Sequence, residues 1–252
     1  LEELSPLAYA EDFDNVGLLV GDKNKSITGV LVTLDTLEEV VDEAIANKCN
    51  LIVSFHPIIF KGLKKLTGKT YVERVVMKAI KHDIAIYSMH TALDNAWQGV
   101  NDMICNQLEL TNKKILIPQK NTNQHIGMGM VGNLDTALSE TEFLNVLKSK
   151  MNTSCIRHSS LLNKPIKRIA VLGGSGSFAI PAAKASGADI LVTSDLKYHD
   201  FFSAENNIIL ADIGHYESEQ FTKNGLVAHL TKKITNFAVV LSKINTNPVK
   251  YF

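Results

Sequence analysis

The chain has 252 residues, 45% hydrophobic and 21% charged, with 26 basic and 26 acidic residues that cancel. This is an ordinary globular composition, with enough apolar material for one large domain or two packed lobes. No basic block or stripe offers an electrostatic footprint for nucleic acid, and the apolar runs are far too short to span a membrane.

The opening segment, Leu1 to Asp14, is acidic and contains proline, unlike a signal peptide, and its start at Leu1 without a Met implies a short preceding piece. Gly29 to Leu34 is a β-rich run and Leu37 to Asn47 a helical pattern. Leu51 to Phe55 is the next strand, followed by a Gly/Lys loop and a helix from about Tyr71 to His82. Ile84 to Ser88 reads as a strand and Val100 to Leu108 as the helix after it. The polar segment Pro118 to Asn123 carries turn chemistry and forms a seam. Beyond it come a strand at Gly127 to Gly132 and a helix at Thr141 to Lys150, with a Ser/Thr-x-x-Glu start nearby. Short strands at Ile169–Leu172, Ile190–Thr193 and Ile208–Ala211 are accompanied by helices at Ile180–Ser186, Leu196–Glu205 and Glu217–Lys233. Phe237 to Leu241 closes the set. The alternation predicts an α/β fold with mostly parallel sheets, arranged as two similar lobes, 1–120 and 121–252, with a cleft between them. The three cysteines, odd in number and without a C-x-x-C, read as reduced thiols in or near the core, and a cytoplasmic location is expected.

Most polar residues of chemical interest follow the carboxyl end of a predicted strand, where open α/β sheets bind ligands. His56 follows Leu51–Phe55, and His90 and Asp94 follow Ile84–Ser88. Asp195 and His199 follow Ile190–Thr193, and Asp212, His215, Glu217 and Glu219 follow Ile208–Ala211. His215 and Glu219, spaced i and i+4, can lie on one helical face and reach one ion, or can simply open a surface helix. His56, held before Pro57, is a ligand or a structural histidine, and His90 to Asp94 is a ligand loop or a turn cap. Imidazole and carboxylate without thiolate suit zinc, iron or manganese. The run Gly173-Gly174-Ser175-Gly176-Ser177 could cradle an anion on its backbone N–H groups, or could be a tight turn; it lacks a P-loop lysine.

Six ordered segments resemble the signatures of a single family: Asp12 to Gly21, Phe55 to Phe60, His90 to Asp94, Gly173 to Ser177, Ser194-Asp195 with His199, and Asp212 to His215 with Glu219. On these, the chain is similar to the Nif-three-like, YbgI-like dinuclear-metal proteins, many of them called GTP cyclohydrolase 1 type 2 homologues. The resemblance implies two similar lobes, a dinuclear metal centre in their cleft and a toroidal homohexamer. It implies His56, Asp94 and Glu219 as ligands of one ion, with Glu219 bridging to a second ion that His215 also holds. Where relatives carry His-His-Pro this chain has Phe55-His56-Pro57, so the second ion loses a ligand and occupancy is one or two ions per chain. Many relatives also insert a small domain at the seam near 118–123, which this chain either lacks or carries outside these 252 residues. Two functions remain open. One is a metal-dependent hydrolase of a nucleotide or other phosphorylated small molecule, with His90 or His199 shuttling protons and the glycine run taking phosphates. The other is a non-catalytic metal-handling or scaffold protein.

Overall fold

Runs of Val, Ile and Leu with helical patterns between them build the strands and helices in the order expected. The computed structural model describes residues 1–119 and 125–252, so the seam at Pro118 to Asn123 falls mostly outside the described residues. Two units divide the chain: Leu1–Leu93 with Thr222–Pro248, and Asp94–Phe221 with Val249–Phe252. After a 3-10 turn at Leu7–Tyr9 come β1 (Gly17–Val20), β2 (Gly29–Thr33), α1 (Glu38–Ala46), β3 (Leu51–Ser54), α2 (Tyr71–Lys81), β4 (Ala85–Ser88) and the short helix α3 (His90–Asp94). Next are α4 (Val100–Gln107), β5 (Thr111–Pro118), β6 (Gly127–Leu138), α5 (Glu140–Lys150), β7 (Arg157–His158) and β8 (Ile166–Ser175). There follow α6 (Ile180–Ala185), β9 (Ile190–Ser194), a 3-10 run at Tyr198–Ala204, β10 (Ile209–Asp212) and α7 (His215–Glu219). Finally α8 (Thr222–Lys233) and β11 (Ala238–Leu241) return to the first unit.

The first unit's sheet runs β1-β4-β3-β2-β11, parallel from β4 to β11, with β1 antiparallel on the edge. Every residue of β2 is buried, as expected of a central parallel strand covered on both faces. Leu31, Ile52 and Ile86 meet Val40, Val41 and Ala44 of α1 and Val75, Val76 and Ala79 of α2 in one apolar cluster. Each fully buried Val, Leu or Ile side chain among them contributes roughly 1.5–3 kcal/mol. In the second unit the order is β5-β6-β8-β9-β10-β7, with β8, β9 and β10 parallel and the flanking strands antiparallel. The fold is therefore α/β with mostly parallel central strands. The second core joins Ala170, Leu191 and Leu210 to Ala179, Ile180 and Ala183. Among the described residues no helix is long and apolar enough to cross a membrane.

Several elements differ from the periodicity. Leu196–Glu205 is not an α-helix but a 3-10 run from Tyr198, which Glu205 ends in a left-handed conformation. The predicted helix Glu217–Lys233 is two helices, α7 and α8, parted after Glu219. The glycine run lies mostly inside β8, which continues to Ser175. β5 escaped notice because Lys113 and Lys114 interrupt its apolar pattern on a largely uncovered strand. The helix start near Thr141 is a full capping box between Ser139 and Glu142. Cys49 and Cys105 are buried, whereas Cys155 is exposed.

Candidate functional site

Parallel strands deliver their following residues to the same sheet edge, and in the first unit β2, β3 and β4 do this for Asp35, His56 and His90. The His56 Nδ1 pairs with Asp35 Oδ1 at 2.8 Å, and the other Asp35 oxygen accepts from the Thr246 hydroxyl at 2.6 Å. His90 Nδ1 pairs with Asp14 Oδ1 at 2.7 Å, while Asp14 Oδ2 accepts from the Thr91 backbone N–H at 3.0 Å and from its hydroxyl. The Asp14 side chain is fully buried. Burial opposes its ionisation, but the bonds from His90 and Thr91 outweigh this and hold the carboxyl at about 2. His90 opens α3 at φ 23°, outside ordinary helical geometry, and the Asp14 pairing offsets that local strain. The two imidazole rings stand 5.5 Å apart, edge to face. Phe55 is fully buried and packs against both, at 4.9 Å from His56 and 5.7 Å from His90.

In the second unit the ends of β8, β9 and β10 bring together Ser175, Asp195, His215 and Glu219. Asp195, in a left-handed conformation at φ 57°, accepts from the Ser175 hydroxyl and pairs with His215 Nδ1 at 2.7 Å. Burial works against the Asp195 charge, but those two hydrogen bonds win and its pKa is lowered. His215 and Glu219, one turn apart on α7, bring Nε2 and Oε2 to 3.2 Å, with Glu219 only 3% exposed. A carboxylate that deeply buried is costly unless a cation or donor meets it.

All three histidines follow one rule: Nδ1 faces a carboxylate. A carboxylate only accepts, so each of these Nδ1 atoms donates to its partner and the ring is fixed in orientation, while His215 Nε2 meets a second carboxylate, that of Glu219. That arrangement prepares an imidazole to ligate a metal.

The remaining sequence candidates fall as follows. Asp94 ends α3, and its backbone carbonyl accepts from the Asn101 amide at 3.2 Å. His199 is exposed, among aromatic rings, 5.1 Å from Tyr198 and 6.1 Å from Phe202. Its expected i,i+4 partner Asp195 lies outside the 3-10 run and turns to His215 instead. Within the glycine run, the Gly173 N–H donates to Asn101 Oδ1 at 3.0 Å, the Gly174 N–H to Ser218 Oγ at 2.9 Å and the Gly176 N–H to the Ser194 carbonyl at 3.3 Å. These N–H groups are thus engaged inside the protein. Gly174 sits at φ 71°, and a Cβ there would come within 2.5 Å of Glu219 Oε1. At Gly176 a Cβ would overlap the Thr193 hydroxyl. The run lets Glu219 and Thr193 pack against the backbone of β8. Asp35 and Asp14 carried no role in the sequence reading. Asp35 follows a strand just as His56 does, and that position could have found it; Asp14 precedes its strand and gave no such signal.

The model of the Duf34/NIF3 (NGG1p interacting factor 3) family matches residues 1–248. The chain belongs to this family. A GTP cyclohydrolase 1 type 2 homolog from Clostridium acetobutylicum is 33% identical over 257 residues, spanning 100% of this chain and 96% of that protein. A protein of the same name from Staphylococcus aureus (strain COL) is 30% identical over 359 aligned positions, spanning 100% of this chain and 97% of that protein. Against 252 residues here, that Duf34/NIF3 relative carries inserted residues that this chain lacks. The crystal structure of Staphylococcus aureus hypothetical protein SA1388 matches with a TM-score of 0.94 and 36% identity, covering 100% of this chain and 96% of that one. The Duf34/NIF3 fold expected from the sequence is thereby borne out.

Proposed function

We propose that this protein binds a divalent metal ion through His56, His215 and Glu219, with Asp94 as a further ligand, and hydrolyses a nucleotide or other phosphorylated small molecule. The observation that carries the reading is the carboxylate behind each histidine, Asp35 behind His56 and Asp195 behind His215, which fixes each ring with Nε2 on the side away from that carboxylate. The donor set of imidazoles and a buried carboxylate, without thiolate, fits zinc, iron or manganese. When bound, such an ion supplies Lewis acidity and lowers the pKa of water. His90, whose ring is held by the buried Asp14, is the residue placed to carry a proton. Asp35 and Asp195 hold the ligand rings in orientation. The name shared by the relatives, GTP cyclohydrolase 1 type 2 homolog, supports the nucleotide part of the reading.

A second reading, metal handling without catalysis, is favoured by Phe55, whose buried ring beside His56 offers a second ion no donor. Purified protein loaded with zinc, iron or manganese, dialysed and measured for metal per chain, is the first test. Turnover of GTP and a panel of nucleotides that depends on metal and is lost in His56→Ala is expected. Metal retention without turnover of any nucleotide would refute the hydrolase and leave the carrier. We further propose a homo-oligomer, expected as a hexamer. Light scattering at the single-chain mass of 27.7 kDa would refute it.

A further inference from the structure

The carboxylates that pair with His56, His90 and His215 each accept a hydroxyl as well: Asp35 from Thr246, Asp14 from Thr91 and Asp195 from Ser175. The three hydroxyls reach their places differently. Thr91 is the neighbour of His90 in α3, and Ser175 ends β8. Thr246 stands 211 residues from Asp35, in a stretch after β11 that forms neither helix nor strand. That stretch, Ser242 to Asn247, lies on the first unit as a strap. The Ser242 N–H donates to the Val32 carbonyl at 2.9 Å, its hydroxyl donates to Glu43, and the Lys243 N–H donates to the other Glu43 oxygen at 2.8 Å. Ile244 packs on the first core, and Thr246 is only 5% exposed.

A carboxylate held through one oxygen can still turn about its Cβ–Cγ bond, whereas one held through both cannot. Asp35 is held at Oδ1 by His56 and at Oδ2 by Thr246, at 2.8 and 2.6 Å. Its side chain is 31% exposed, so water can replace the Thr246 hydroxyl as a donor, but not as a fixed support. Without that support Asp35 and the His56 ring gain freedom, and a ring that must first be ordered binds an ion less tightly.

We propose that Thr246 is a positioning residue: the strap Ser242–Asn247 locks Asp35, and through it the His56 ring, so that docking of the strap and binding of an ion at His56 form one coupled equilibrium. The inference rests on the reading of His56 as a metal ligand, and adds an element outside the ligand set that governs its affinity. Such coupling is reciprocal. If the docked strap raises the affinity about tenfold, the low end of what outer partners of a ligand are worth, a bound ion suppresses strap opening by the same factor.

The test uses the full chain with zinc as the probe. Thr246→Val nearly keeps the shape of the side chain and removes the hydroxyl, while Thr246→Ser keeps the hydroxyl. Competition with a chelating dye should show zinc binding about tenfold weaker in Thr246→Val and near native in Thr246→Ser. The His56 Nδ1 proton, followed by NMR in the zinc-free chain, should exchange with water faster in Thr246→Val than in the other two proteins. Hydrogen exchange at the Ser242 and Lys243 amides should slow about tenfold when zinc binds the native chain or Thr246→Ser, and stay unchanged in Thr246→Val. Equal zinc affinity in all three proteins would overturn the proposal. So would Thr246→Ser as weak as Thr246→Val, since the effect would then be one of shape, or strap amides that zinc leaves unchanged in the native chain. A native chain that takes up no zinc would sink the metal reading and the coupling with it. The Nδ1 proton would then still decide whether Thr246 fixes the ring, and equal exchange in the native and valine proteins would overturn that as well.

Discussion

Replacing Asp14 by Asn probes how the His90 pair is built. The carboxyl sits at about 2 in the folded chain against an ordinary 3.8. A difference of that size corresponds to about 2 kcal/mol of folding free energy. The folded value is the depressed one, so this stability is fully present above pH ~4, the ordinary carboxyl range, and is lost as pH falls toward 2. Asp14→Asn should therefore cost about 2 kcal/mol at pH 7, where the native charge is intact. The cost should shrink steadily as the native carboxyl is protonated in acid. Urea unfolding followed by circular dichroism, on both proteins at pH 7, 5, 4 and 3, reads this directly. A difference that stays the same from pH 7 to pH 3 would show that the variant suffers from lost shape and not from lost charge. The reasoning about the pair would then fail.

Three other outcomes are expected. Asp195→Asn removes the charge that orients His215, and should weaken metal binding about 10- to 100-fold without abolishing it, measured by competition with a chelating dye. Phe55→His places a nitrogen donor where a buried ring now packs on His56, and should raise the metal retained per chain after dialysis; an unchanged ratio would refute Phe55 as the obstacle. Burial pushes the Cys105 thiol up to about 12, further than the nearby Lys113 pulls it down, while Cys155 is exposed. A thiol reagent at pH 8 should modify Cys155 rapidly and spare Cys105 until the chain is unfolded, as mass mapping would show.

The sequence made the strands and their following residues legible because a parallel strand must be apolar along its length and ligands gather past its end. That ground placed His56, His215 and Glu219 past strand ends, while the ligand role proposed for them came from the family resemblance. The partners that fix the histidines were not legible: Asp14 lies 76 residues from His90, and no local pattern records so distant a pairing. The glycine run was misleading for a related reason. Its composition suggests a ligand cradle, while its N–H groups are committed to Asn101, Ser218 and the Ser194 carbonyl, contacts that only the folded sheet creates. Strand order was equally hidden. The alternation of elements says that β11 exists, but nothing in Ala238–Leu241 says that it pairs with β2, more than two hundred residues earlier.

That pairing has a consequence for biosynthesis. In the first sheet β2 is flanked by β3 on one side and by β11 on the other. A ribosome working at roughly 5–20 residues per second must therefore add about two hundred residues, over roughly 10 to 40 seconds, before the strand that closes this side emerges. Throughout that interval β2 presents a bare row of amides and carbonyls, the kind of edge that recruits strands from other chains. Nascent molecules stalled before Thr222 should thus be prime clients for chaperones, and mutations that slow elongation in the second half of the gene should lower yield without touching the stability of the finished protein.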